Sequence, residues 1–138
     1  HPYPRFAVVA LCGKLEMELA QMDDNDAEQF RKEMGLGESA LSRVVKLSYD
    51  LLGLVSFLTI GDNEVRAWSI ARGTTAVKAA GKIHSDMERG FIRAEVVPFA
   101  QLVECGSIAE ARRRGLLRLE GRNYVVQDGD VVTVLFNV

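Results

Sequence analysis

Cysteine is scarce: Cys12 and Cys105 are the only 2 in 138 residues, and neither has a neighbouring Cys or metal-ligand His. That excludes a disulfide-stapled mini-protein and reads as two free thiols in a reducing compartment. Histidine is equally thin, with His1 and His84 the whole supply. No long hydrophobic run exists. The longest, residues 6–12, is far short of the roughly 20 apolar residues a membrane helix needs. No charged start followed by an apolar stretch and a small-residue cleavage site is seen, so no signal peptide is expected and the cytoplasm is the expected location. Neither sign of charge dominates. At a net -2 the bulk charge does not advertise nucleic acid, and no DNA partner is expected.

What is present is ordinary for a globular chain: 48% apolar and 26% charged residues. The length suits one ordinary domain or two small ones. The chain begins His-Pro-Tyr-Pro rather than with Met, which reads as a processed or cut product. Charge is uneven along the chain. Residues 1–50 hold six basic side chains against nine acidic, and residues 51–138 hold eleven against ten. The positive charges of the second part bunch, and that bunching carries any RNA argument.

Residues 5–12 read as a continuous apolar β-run, suited to a strand buried on both faces. A helix over 14–22 follows. Two readings fit: the trailing strand and helix of a larger α/β domain absent from this chain, or a strand that joins the sheet downstream. A short helix is expected over 27–34 with Asp24 or Asp26 as N-cap. A longer one is expected over 38–52, where Leu41, Val44, Val45, Leu47, Leu51 and Leu52 recur at three- and four-residue steps and predict one buried stripe.

From Leu54 the rhythm changes. Residues 55–60 and 65–70 predict a hairpin around Gly61-Asp62-Asn63. Thr74 is placed to cap a helix running to Ile83, with Ala76, Val77, Ala80 and Ile83 on one side and Lys78 and Lys82 on another. Residues 84–90 read as a polar loop, and 91–97 as a strand ended by Pro98. Short helices are expected near 99–104 and 107–113, then strands at 117–119, 124–126 and 131–136. The last two flank an Asp128-Gly129 turn signal. The order from residue 54 is β-β-α-β-(α)-β-β, an α+β unit with a helix across one face of a mixed sheet, in the β-grasp or ubiquitin-like order.

Catalytic signatures are missing. There is no Gly-x-x-x-x-Gly-Lys-Ser/Thr phosphate loop, no Gly-x-Gly-x-x-Gly and no Gly-x-Ser-x-Gly elbow. No catalytic residue and no metal ligand set is assigned. The individual feature is 83–96, read as a helix exit, a polar loop and a strand, or as a docking surface. In the docking reading Arg66, Arg72, Lys78, Lys82, His84, Arg89 and Arg93 lie near one another and neutralise phosphates. Trp68 and Phe91 then offer aromatic faces to unpaired bases. The run Arg112-Arg113-Arg114 is a further source of charge.

Ile83-His84-Ser85-Asp86-Met87-Glu88-Arg89-Gly90-Phe91-Ile92-Arg93-Ala94-Glu95-Val96 closely resembles a signature of the YchF / Obg-like ATPases. The stretches 51–68 and 119–131 and the final Phe136-Asn137-Val138 resemble that family too. The resemblance implies an upstream P-loop domain with a helical insertion and a C-terminal TGS domain of β-grasp fold. It also implies ATP hydrolysis with Mg²⁺ by the parent protein and association with ribosomes or ribosomal RNA. On that basis residues 1–22 are the residual last strand and helix of the nucleotide-binding domain, 23–53 a helical connector and 54–138 the TGS domain. Cys12, Gly13 and Lys14 fall where the family carries a Ser-Ala-Lys-like loop near the base, with Cys and Gly replacing Ser and Ala. The phosphate loop, the Mg²⁺ ligands and the base-selecting motif are expected upstream, so no cofactor is expected on this stretch. Its partners would be the ribosome and the parent's nucleotide-binding domain, with no membrane contact. Two rival roles are a ubiquitin-like protein-interaction module without RNA contact and regulation of the ATPase in cis.

Overall fold

The computed structural model describes residues 6–61 and 64–137. The chain divides into two compact units, His1–Leu52 and Gly53–Val138.

In the first unit the expected strand does not form. Residues 6–12 adopt no regular structure, and Phe6 and Val8 stay exposed. A strand's amides and carbonyls need a neighbouring strand, and residues 6–12 pair with none among the described residues. Residue 5, where that run was expected to begin, lies outside the described residues. Three helices follow: α1 (Gly13–Leu19), α2 (Asp24–Glu33) and α3 (Ala40–Leu52). The cap of α2 is Asp23 rather than Asp24 or Asp26, its carboxylate accepting from the Asp26 amide at 2.9 Å. Arg31 of α2 clasps Glu16 of α1 through both terminal guanidinium nitrogens, at 3.0 and 3.3 Å. The predicted stripe on α3 is amphipathic but not buried. Leu41 is 74% exposed and Leu52 70%. Periodicity marks a face that seeks contact; it does not supply the surface that would cover it.

The second unit runs β1 (Leu54–Ile60), β2 (Val65–Ala71), α4 (Ala76–Ile83), α5 (Ser85–Arg89), β3 (Phe91–Pro98), α6 (Phe99–Cys105), α7 (Ile108–Arg113), β4 (Arg118–Glu120) and β5 (Asp130–Phe136). The sheet order is β2-β1-β5-β3-β4. β1 and β5 are parallel at its centre and the other pairs are antiparallel. This is the expected mixed α+β sheet. α4 packs on one face, where Val55, Phe57, Ile70, Val96 and Val132 meet Ala76, Ala79 and Ala80. The alanines let the helix backbone approach the strands closely. α6 and α7 cover part of the other face through Val97, Val131 and Ala111.

Three local expectations fail. Residues 84–90 are not a loop throughout, because α5 occupies most of them. His84 Nδ1 accepts the Asp86 amide at 3.1 Å and caps it. Nor do residues 124–126 form a strand paired with β5. They make one bridge, Val125 to Thr75, while β5 takes β1 and β3 as neighbours. Asp128-Gly129 serves β1 instead: Asp128 Oδ1 accepts the Ser56 amide at 2.7 Å, and the Gly129 amide donates to the Ser56 carbonyl at 2.8 Å. Gly129 sits at φ +78°, a conformation open to glycine at little steric cost. The cap position of α4 is Thr75, whereas Thr74 turns its hydroxyl to the Ala71 carbonyl at 2.6 Å.

Candidate nucleic-acid interface

β2 is an edge strand, and α4 lies over the same face as its inward residues. Alternation along β2 sends Arg66, Trp68 and Ile70 toward that face, opposite Thr59, Phe57 and Val55 of β1. Burial falls steadily along the row: Ile70 is buried, Trp68 half-buried and Arg66 exposed. The Trp68 indole N–H donates to Thr59 Oγ1 at 2.9 Å, and its ring stacks beside Phe57 with centroids 6.5 Å apart. The Arg66 guanidinium lies 4.2 Å above the Trp68 ring. This cation–π contact fixes a long flexible side chain in place.

A groove of about 480 Å³ opens beside this pair, with Ile83, His84 and Met87 on its helical side. Its origin is a parting of strands. β1 and β5 are in register only where Leu58 faces Val131. Beyond that point Thr59–Gly61 on one side and Val132–Val134 on the other line the opening. A second groove of about 470 Å³ continues along the seam between β2 and α4, past Ser69, Thr74, Lys78 and Lys82.

The seam therefore gathers Arg66, Trp68, Lys78, Lys82 and His84. Lys78 is partly neutralised by Glu88 at 2.6 Å. Glu64 lines the same groove as Arg66, but neither Arg66 nor Lys82 makes an ion pair within 4.0 Å among the described residues. Arg72 sits just past β2, its amide donating to the Gly53 carbonyl at 2.7 Å. Arg89 pairs with Asp86.

Two expected members lie elsewhere. Phe91 is a core residue, 5% exposed, so no base can stack on it. Arg122 closes over it with the guanidinium 5.8 Å from the ring and an N–H to the Phe91 carbonyl at 3.0 Å. Arg93 stands opposite Leu135 on the face away from α4, because its neighbour Ala94 takes the buried position. The arginine run is consumed locally. Arg112 forks onto Glu95 at 2.8 and 2.9 Å, and Arg113 and Arg114 both hold Glu110. Those two guanidiniums lower the Glu110 carboxyl to about 2.

The sequence reading missed the carboxylates Asp86 and Glu88 as neutralisers. A signal was available: Asp86 and Glu88 followed by Arg89 put acid in the first turn and base in the last, the order a helix dipole favours. It marks a helix where a loop was expected.

The family model of YchF-GTPase_C, described as a protein of unknown function (DUF933), matches residues 54–137. The chain belongs to this YchF C-terminal family. It is 48% identical over 131 residues to a protein of Bacillus subtilis (strain 168) named ribosome-binding ATPase YchF, and 45% identical to that of Escherichia coli O157:H7. Each match covers 95% of this chain and 36% of the relative. The chain thus spans about a third of the length of these curated relatives. The solved YchF GTPase of Schizosaccharomyces pombe superposes with a TM-score of 0.74 at 30% identity, over 86% of this chain and 31% of that one.

The three residues expected to remain from a nucleotide site lie together at the start of α1. Cys12 and Lys14 are exposed, and Lys14 reaches Glu18 at 4.0 Å. Gly13 opens α1 with open space where a side chain would stand. A groove of the first unit is lined by Glu16, Asp24, Glu28, Glu38 and Arg31. Among the described residues no cluster of three or more His, Cys, Asp or Glu is arranged to hold a metal ion, and no helix is long and apolar enough to cross a membrane.

Proposed function

We propose that this chain is the C-terminal portion of a YchF-type ATPase, and that residues 54–138 form a TGS module of β-grasp form that docks the parent enzyme on the ribosome or its RNA in the cytoplasm. The carrying observation is the seam, where an exposed guanidinium stacked on the single tryptophan lies beside lysines at one sheet edge. The central parallel pair with a helix over one face supports the β-grasp reading. The relatives' printed names supply the partner class. ATP and Mg²⁺ belong, on this proposal, to the parent's nucleotide-binding domain. Residues 1–22 are its last segment and 23–53 a connector.

Filter binding to ribosomes across a salt series tests the proposal. Arg66→Glu with Lys82→Glu weakens binding at least about tenfold and flattens the salt dependence, since every phosphate left without its cation takes about 0.7 off the log–log slope on single strands. Arg93→Glu, on the far face, changes affinity less than about threefold. Binding that ignores salt, or that survives the double reversal, overturns the proposal. A second reading has one observation in its favour. β2 is an edge strand of seven residues with one charge, suited to strand addition by a protein partner.

A further inference from the structure

We infer that the groove between the parting strands is a slot for one unstacked nucleobase, with Lys82 and Lys78 on the track of the flanking phosphates. The inference rests on the docking proposal and names what the seam holds.

Five observations converge. The groove is of nucleoside size, within the roughly 300–1,000 Å³ of small-ligand sites. Its apolar walls, Ile83, Met87 and Trp68, suit the faces of a flat ring. Its polar groups suit the ring's edge. His84 uses Nδ1 as an acceptor for the Asp86 amide, so the neutral imidazole carries its proton on Nε2 and retains one donor. Where β1 and β5 lose register, Thr59–Gly61 and Val132–Val134 line the opening, and Glu64 adds a carboxylate acceptor. Arg66 already covers one face of Trp68, so the planar surface offered outward is the guanidinium. Arginine planes stack on bases as aromatic rings do. The neighbouring groove then carries charge without apolar walls of comparable size, with Lys82 in no ion pair among the described residues. A flat apolar unit joined to repeating anions is single-stranded nucleic acid. An acidic peptide matches the lysines but leaves the slot without a planar guest.

Trp68 is the only tryptophan, so intrinsic fluorescence reports the groove directly. The probes are a short oligoadenylate, an abasic strand of equal length and inorganic polyphosphate. Oligoadenylate is expected to quench Trp68 and to bind roughly tenfold tighter than the abasic strand, the size of one stacked base. Polyphosphate binds without changing the emission. Arg66→Ala and His84→Ala remove the preference for bases, whereas Lys82→Ala weakens both strands alike. Equal affinity for the two strands, unchanged emission, or equal quenching by an acidic peptide overturns the slot. The two proposals fail separately. If charge reversal weakens ribosome binding but bases are not preferred, docking stands without a slot. If charge reversal leaves ribosome binding intact, the docking reading itself falls.

Discussion

α3 and α4 are both amphipathic, and their fates differ. On α4, Ala76, Ala79 and Ala80 are almost wholly covered by the sheet. On α3 the larger side chains Leu41, Val45 and Leu52 remain exposed, and only Ala40 is buried. The same contrast holds between the units. From Gly53 onward two buried clusters, the larger around Phe57, close on the two faces of a five-stranded sheet, while up to Leu52 only Leu19 and Ala40 are buried among the described residues. An apolar stripe specifies that a helix will be covered, and the remaining chain decides whether it is. Relatives nearly three times as long have chain to spare for that purpose.

The contrast breaks most visibly at Phe57. Its ring is fully buried, so Phe57→Ala is expected to cost about 3–5 kcal/mol through exposure of apolar surface and the cavity left behind. Urea unfolding followed by Trp68 fluorescence measures it. Leu41→Ala on α3, removing a side chain that is 74% exposed, changes the same transition by less than about 0.5 kcal/mol. Comparable costs at both positions would mean that the two units differ in appearance only.

A smaller effect is expected at Asp130, the one buried charged residue among those described. Its carboxylate accepts from the Tyr124 hydroxyl at 2.7 Å and the Gln127 amide at 2.9 Å, with Arg118 at 3.9 Å. Burial and the hydrogen bond to Asp130 push the Tyr124 phenol up. This carboxylate holds 121–127 against α4, whose first amides donate to the carbonyls of Tyr124 and Arg122. Asp130→Asn keeps the shape but turns one acceptor into a donor facing donors. A loss of about 1–3 kcal/mol in the Trp68 transition is expected, and a neutral result would sink the argument that this carboxylate organises the segment.

These cases also show what could be read from residue order alone. The hairpin, α4 and β3 were legible because their signals are local: alternation, a turn and a helical stripe. The role of Asp128-Gly129 was not, because its partner Ser56 lies 72 residues away in the chain. A strand that pairs centrally and one that closes a hairpin look alike in sequence. At the candidate site the cations were legible but their company was not. Lys78 and Arg89 meet carboxylates supplied by a helix mistaken for a loop. Phe91 and Arg93, two residues apart, fall on opposite faces because of the bulge between them.

The smallest effect concerns two half-buried carboxylates, one in each unit, both lowered by arginine. Glu110 on α7 is held by Arg113 and Arg114 and falls from 4.5 to about 2. Glu16 on α1 is lowered by Arg31. A carboxyl lowered on folding binds its proton less tightly in the folded state. Its contribution is therefore fully present above about pH 4.5 and disappears as pH falls through about 2. Solvent screening keeps both effects modest. In the Trp68 transition, Glu110→Gln should lower the urea midpoint slightly at neutral pH and not at all near pH 2, because α7 packs on the same sheet as Trp68. Glu16→Gln should leave that transition unchanged at every pH, because its clasp joins helices of a unit that contributes nothing to the Phe57 cluster. If Glu16→Gln moves the Trp68 midpoint with the pH profile of Glu110→Gln, the two units unfold as one, and the comparison between them describes where the core lies and not how the chain divides.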